Sequence, residues 1–494
     1  MLIRLLCAIA LVWSSPALFA QSQELGEKSE RGRTLMAAGK FAEAVPIYRE
    51  LSQAVPNNPG LLLNLGMALH LAGHSRQAIG PLESAIKLDQ GIPPAWLFLG
   101  ASFLDAGEPA RALPPLKKYV GMQPEDPGGH QTLGDALLAT GASREAAAQY
   151  TKLSELEPDN PHGWYGLNRS YTALAESAFQ EIEKSAPESA WWLALVADAR
   201  VVRRQFSSAF FFYRKAEALQ PDLPGLHASI AEVYKEIGHP DWAESERKKE
   251  RLPDCRATPF ACDFAAGRYH EVIGRSAQAA TAEARYWQSR AFAMVAREAH
   301  ERLDRLPEGE EIHELRAENL RARRQNLEAI KEWRLALHYA PKDRHLREEL
   351  LASLYQARDY TAAMPLADEL LRDEPASAAL NMTKGDILLS SQETEKAIPF
   401  LKAAVKSDPK LLPAHHALGR AYMLVGKPAA AIPHLLVALP IDQDGSLRYQ
   451  LARAYQSTGQ AEAAKRMLEE YQQHQKADRD EKSKLEEELK IAPP

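Results

Sequence analysis

Residues 93–126 read PPAWLFLGASFLDAGEPARALPPLKKYVGMQPED, and this stretch decides the fold. Trp96, Leu99, Gly100 and Phe103 recur at the three- and four-residue steps that put side chains on one face of a helix. Gly107 ends that helix, as a residue tolerant of positive φ should. Ala112, Leu116 and Tyr119 then form a second apolar stripe, which Pro124 stops. Glycine or alanine at the closest approach lets two antiparallel helices nearly touch, while leucine, tyrosine and tryptophan fill the remaining space. A helix pair of this size cannot bury its apolar face alone, so it needs copies of itself on either side.

The copies are in the sequence, at a period of 34. Gly66, Gly100 and Gly134 keep that interval, as do Ala44, Ala78, Ala112 and Ala146. In the C-terminal half Ala329, Ala363, Ala397 and Ala431 repeat it, together with Pro341, Pro375 and Pro409. Units start near Leu25, Pro59, Pro93, Pro127, Pro161, Ala190, Pro224, Glu310, Arg344, Ala378, Leu412 and Gly445. This predicts an all-α solenoid. The interval from Ala146 to Ala209 falls five short of two periods, so the unit at Pro161 loses part of its turn around Leu174–Phe179. No multiple of the period joins Ala243 to Ala329, which predicts an irregular helical insert with helices near Phe260–Ala266, Tyr269–Ile273 and Ala282–Leu306. The reading divides the chain into 25–252 (N-terminal array), 253–309 (insert), 310–474 (C-terminal array) and 475–494 (a charged, loosely helical or frayed tail). Pro46, Pro114, Pro365, Pro399 and Pro433 share one phase inside second helices. Proline costs little only in a first turn, so those helices are expected to start late or bend, with that face outward.

The pattern Trp96-x-x-Leu99-Gly100, Trp164-x-x-Leu167 and Leu418-Gly419-x-x-Tyr422, with the alanine and proline ladders, resembles the tetratricopeptide repeat family. The resemblance covers most of residues 25–474. It implies a superhelix whose first helices line a concave groove that binds protein partners. By the family's pattern, groove positions in the Pro59 and Pro93 units are Leu63, Met67, Leu71, Leu97, Ala101 and Leu104, an apolar strip. In the Leu412 and Gly445 units they are His416, Arg420, Met423, Tyr449, Arg453 and Gln456, a polar strip with two cations. The latter is the favoured partner site, because arginine and tyrosine most often dominate interface energy. Arg420 has a competing reading as the ion-pair partner of Asp386, one unit earlier. The lysine and asparagine pairs with which some family members grip a terminal carboxylate do not occur together here.

Composition narrows the function classes. A chain of 494 residues that is 45% hydrophobic and 26% charged is neither a multispanning membrane protein nor a disordered acidic one. A net charge of −6 provides no basic field for nucleic acid. Arg4 is the lone charge before Glu24; the apolar run Leu5–Trp13 and the small-residue end Leu18-Phe19-Ala20 make residues 1–20 a secretory signal peptide cleaved after Ala20. The expected location is periplasmic or extracellular, with no membrane span after cleavage. Of the three cysteines, Cys255 and Cys262 survive cleavage and can close a disulfide, the alternative being two free thiols with Cys262 packed on a helix.

Candidate chemistry is sparse. His70 and His74 have metal-like spacing, but Gly73 between them breaks the helix and leaves a solvated loop. His130, His227, His313 and His415 occupy the Trp96 position of their own units. Units that far apart in a solenoid cannot share one ion, so these read as packing or surface histidines. No glycine-rich phosphate loop, G-x-S-x-G or H-E-x-x-H occurs. The expectation is a non-enzymatic envelope scaffold without cofactor or metal, binding envelope proteins; the alternative is a carrier for a small ligand or polysaccharide.

Overall fold

The structure is a computed structural model that describes residues 16–251 and 253–494. Of the signal-peptide reading, residues 1–15 lie outside the described part, and 16–20 belong to the first helix. The chain opens with α1 (Pro16–Ala37), α2 (Phe41–Ala54), α3 (Pro59–Leu71), α4 (Ser75–Leu88), α5 (Pro93–Asp105), α6 (Pro109–Met122), α7 (Pro127–Ala139) and α8 (Ser143–Leu156). There follow α9 (Pro161–Ser185), α10 (Ala190–Val202), α11 (Phe206–Leu219), α12 (Leu226–Glu236), α13 (Pro240–Arg247), α14 (Pro259–Ala265), α15 (Tyr269–Ser276) and α16 (Ala282–Leu303). The C-terminal run is α17 (Glu310–Ala322), α18 (Asn326–Tyr339), α19 (Arg344–Gln356), α20 (Tyr360–Asp373), α21 (Ala378–Ser390), α22 (Thr394–Ser407), α23 (Leu412–Leu424), α24 (Pro428–Ala438), α25 (Ser446–Ser457) and α26 (Ala461–Glu488). No strand occurs among the described residues, and the fold is an all-α solenoid. Two compact units divide it: one ends at Leu174 and includes Val295–Arg302, and the other comprises Ala175–Met294 and Leu303–Pro494.

Within a repeat, the close approach is a glycine facing a large residue sixteen positions later. A Cβ on Gly66 would lie 2.4 Å from Leu82 Cγ, one on Gly100 2.4 Å from Leu116 Cγ, and one on Gly385 2.5 Å from Leu401 Cδ2. Leu82, Leu116 and Leu401 are themselves fully buried. The turn between the two helices needs a left-handed residue, which glycine supplies at Gly39, Gly73, Gly107 and Gly141. In the C-terminal run Arg324, Arg358 and Gln392 hold the same conformation at the same period before Gly426 resumes it.

A second device ties each repeat to the loop before it. Trp96 Nε1 donates to Gln90 O at 3.0 Å, Trp164 Nε1 to Pro158 O at 2.7 Å, and Asn381 Nδ2 to Pro375 O at 2.9 Å. His130 and His415 make the same six-residue reach from Nε2 to Pro124 O and Pro409 O. The other imidazole nitrogen meets the residue nineteen positions on: His130 meets Gln149, His227 meets Glu246, His313 meets Glu332, and His415 meets His434. Because a carbonyl only accepts, the His415 Nε2 donates to Pro409 O.

Three expectations need correction. The proline-bearing second helices do not start late: α2, α6, α20, α22 and α24 each begin five residues before Pro46, Pro114, Pro365, Pro399 and Pro433. All five prolines are exposed, so the outward face holds, and the missing N–H falls on the wet side of the helix. The unit at Pro161 has not shortened its turn; α9 runs unbroken for 25 residues, because Ala173, Ala175 and Ala178 favour helix and no glycine interrupts them. His70 is not in a solvated loop: its Nδ1 lies 3.2 Å from Ser102 Oγ and 3.4 Å from Asp105, across to the next repeat.

Candidate functional site: the first helices of the C-terminal repeats

First helices of successive repeats approach one another directly, α3 with α5, α5 with α7, α21 with α23 and α23 with α25, whereas second helices pack on first helices. Successive repeats therefore come closest on the first-helix side. The polar strip lies there, on α23 and α25.

Arg420 Nη2 donates to Asp386 Oδ1 at 2.7 Å, and Tyr355 Oη donates to the other oxygen of the same carboxylate. Asp386 thus bridges α19, α21 and α23, and the Arg420 charge is met inside the protein. Burial, reinforced by the hydrogen bond to Asp386, pushes the Tyr355 phenol well above its ordinary value. His416 is half-buried one helical turn before Arg420, and its Nε2 has no hydrogen-bond partner among the described residues. Burial first, then the Arg420 charge, holds this imidazole below its usual range. Met423 is half-buried.

On α25 the situation reverses. Tyr449 is 44% exposed, its ring 5.3 Å from that of Tyr471. Arg453 and Gln456 are exposed, and Arg453 has no acidic partner among the described residues. α25 itself is anchored by Asp442, whose buried carboxylate accepts from Leu447 N, Arg448 N and the Arg448 guanidinium. With a single turn of 3₁₀ helix at Leu439–Ile441, this anchor absorbs a one-residue shortening of the period, Ala431 to Ala464 being 33. Of the two arginines the sequence singled out, one is internally neutralised and one is open.

The apolar N-terminal strip is less available. Leu63 and Leu97 are half-buried and pack against the core of α2–α8, and Met67 is half-buried as well. Only Leu71, 40% exposed, stands clear of it.

One titratable cluster escaped the sequence reading. Glu217, His227 and Glu246 bring ligand atoms within 4.8 Å of one another. Arg214 and Lys249 already pair with these carboxylates, so their charge is met by protein cations and the donor set does not suit a metal ion. Burial alone would raise the Glu246 carboxyl, but hydrogen bonds from His227 and Lys249 and the Arg214 charge outweigh it and hold it low. The available signal was the nineteen-residue step from histidine to acid, shared by His227/Glu246 and His313/Glu332. Cys255 and Cys262 are joined in a disulfide, with Cα atoms 5.5 Å apart, Cys262 lying within α14.

A family profile described as Tetratricopeptide repeat matches residues 35–100 and 354–418, and another of the same description matches 445–473. DnaJ homolog subfamily C member 3 from Gallus gallus is 29% identical over 119 residues, 24% of this chain and 24% of its own, so the chain spans about a quarter of that relative. Among solved structures, a tetratricopeptide repeat protein from Parabacteroides merdae is 12% identical, covering 67% of this chain and 99% of its own, with a TM-score of 0.33. MamA from Desulfovibrio magneticus is 18% identical over 34% of this chain and 96% of its own, TM-score 0.32. YrrB, described as a TPR protein with an unusual peptide-binding site, is 17% identical over 44% and 97%, TM-score 0.29. Residues 35–100, 354–418 and 445–473 of this chain are tetratricopeptide repeats.

Proposed function

We propose that the chain is a non-enzymatic protein-interaction scaffold of the cell envelope, periplasmic or secreted, which seats an acidic or carboxylate-bearing protein segment on the first helices of its C-terminal repeats. The observation that carries this reading is the open cation Arg453 beside the exposed ring of Tyr449, on a helix fixed in place by the buried Asp442. An exposed arginine next to an exposed tyrosine offers contact area and directional donors together, and a local cation on a chain of net charge −6 attracts acidic segments.

Crosslinking in intact cells followed by mass spectrometry identifies the partner. Arg453→Glu should then weaken its binding at least tenfold, while Arg453→Lys retains most of it. A folded Arg453→Glu protein that binds as tightly as wild type removes α25 from the site. Fractionation and N-terminal sequencing test the location: a mature chain beginning at Gln21 outside the cytoplasm is expected, and an intact cytoplasmic chain contradicts it.

A further inference from the structure

Tyr234 on α12 is wholly buried, packed between Phe210 at 5.5 Å and Trp242 at 5.6 Å between ring centroids. Its hydroxyl receives a hydrogen bond from Arg214 Nη2 at 3.0 Å and donates one at 2.7 Å to the carbonyl of Ala492, 258 residues along the chain. Beside that bond, Ile491 packs half-buried against the apolar cluster to which Phe210, Tyr213 and Tyr234 belong. Residues 490–494 have no regular structure of their own, and Lys490, Ala492, Pro493 and Pro494 are exposed. The Ile491 side chain and the Ala492 carbonyl thus hold the segment.

We propose that the surface of α11 and α12 around Arg214 and Tyr234 is a seat for a short extended peptide, and that the chain's own Ile491–Pro494 is its occupant, a tethered ligand that closes the seat. The chemistry of both sides agrees. Pro493 biases Ala492 toward extended backbone, and a proline pair keeps the segment in the polyproline conformation, so little order has to be imposed on it. Aromatic-lined seats take such segments because the backbone carbonyl is free to accept and the ring faces supply contact. Arg214 fixes the orientation of the Tyr234 hydroxyl: by donating to the oxygen it leaves the phenolic hydrogen to point outward at an acceptor. Against this stands the entropy of ordering an irregular segment, which a hydrogen bond and a half-buried isoleucine barely outweigh. Tethering supplies the rest through a high effective concentration. The seat is therefore closed by default and open to competition, and it is separate from the α23–α25 strip.

The test uses the full chain and a fluorescent peptide of sequence LKIAPP. Ile491→Asp removes the anchoring side chain, and Ile491→Ser serves as a milder second variant. The peptide should bind both variants at least tenfold tighter than wild type, and Tyr234→Phe in the Ile491→Asp chain should weaken it about fivefold, the worth of one neutral hydrogen bond. Equal binding to wild type and variants, no binding to any of them, or affinity unaffected by Tyr234→Phe would each overturn the proposal. So would a wild-type dimer in sedimentation that Ile491→Asp abolishes, because the occupant would then come from a second copy.

Discussion

Replacing Gly100 by alanine tests whether the glycine ladder exists to let helices touch. A Cβ there would stand 2.4 Å from Leu116 Cγ and 2.6 Å from its Cδ2, against the ~3.5–4.0 Å at which carbon atoms rest. Leu116 is fully buried and cannot swing into solvent, so the helix pair must part by about an ångström. Such overpacking costs ~1–3 kcal/mol, while alanine in a helix gains ~0.5–1 kcal/mol over glycine. The two terms leave a net loss of up to ~2.5 kcal/mol, a little over ~1 kcal/mol at their midpoints. Gly121 in α6 is the control, since a Cβ there meets nothing within 4 Å and no proline directly follows it; Gly121→Ala should stabilise by up to ~1 kcal/mol. Repeat arrays open locally, so the assay is amide hydrogen exchange across α5 and α6, where ~1.4 kcal/mol reads as a tenfold faster rate. The Gly100→Ala/Leu116→Ala double mutant should lose less than the sum of the single losses. If Gly100→Ala exchanges no faster than wild type, or Gly121→Ala is equally harmful, close approach is not what the glycine provides.

Acid should weaken the fold from about pH 6.5 downward. His70, His416 and His434 are all held below the ordinary imidazole value of 6.5, mainly by burial. The unfolded chain therefore takes up protons that the folded chain refuses, and stability present above that value drains as pH falls; an unchanged urea midpoint between pH 7.5 and 5.5 contradicts this. Glu246 adds a second loss at lower pH: with its folded carboxyl held low, its contribution persists above the ordinary carboxylate range and disappears as pH drops through the folded value, so Glu246→Gln should flatten the acid limb. Asp442→Ala should cost ~2–4 kcal/mol in thermal melts, because three donors lose one buried acceptor; a loss under about 0.5 kcal/mol would mean water replaces the carboxylate. Closing the short loop between Cys255 and Cys262 contributes ~2.5 kcal/mol by loop entropy, so purified unreduced protein should expose no alkylatable thiol from this pair and melt lower after reduction, whereas two reactive thiols refute the bridge.

Helix existence was legible because the apolar period is a local property: α14 to α16 fall within a few residues of the stretches expected from the insert alone. What stayed hidden depended on pairs. Nothing local marks the Arg420 charge as spent, since that requires Asp386 and Tyr355 from two other helices to converge on it. The histidine staples were visible as a shared repeat position but not as a bond, because the partner nineteen residues on varies among glutamine, glutamate and histidine. The α9 fusion was misjudged for a different reason: a missing five residues in the period says that a turn is altered, not whether its flanks join into one rod.

The sixteen-residue step between a small residue and the large one it admits bears on how such a chain can grow. Gly66 with Leu82, Gly100 with Leu116, Gly385 with Leu401 and Gly419 with Leu435 each lie inside a single period. A gene segment of one period therefore carries both halves of its own fit, and tandem duplication copies a matched pair instead of orphaning one member. Tyr119 crosses the boundary to Gly129 of the next repeat, and Tyr150 does more, filling the space above Gly134 and, in the following helix, above Gly166. Those two repeats are bound into one heritable block, and a recombination breakpoint between Tyr150 and Gly166 would set a tyrosine against a side chain never selected to face it.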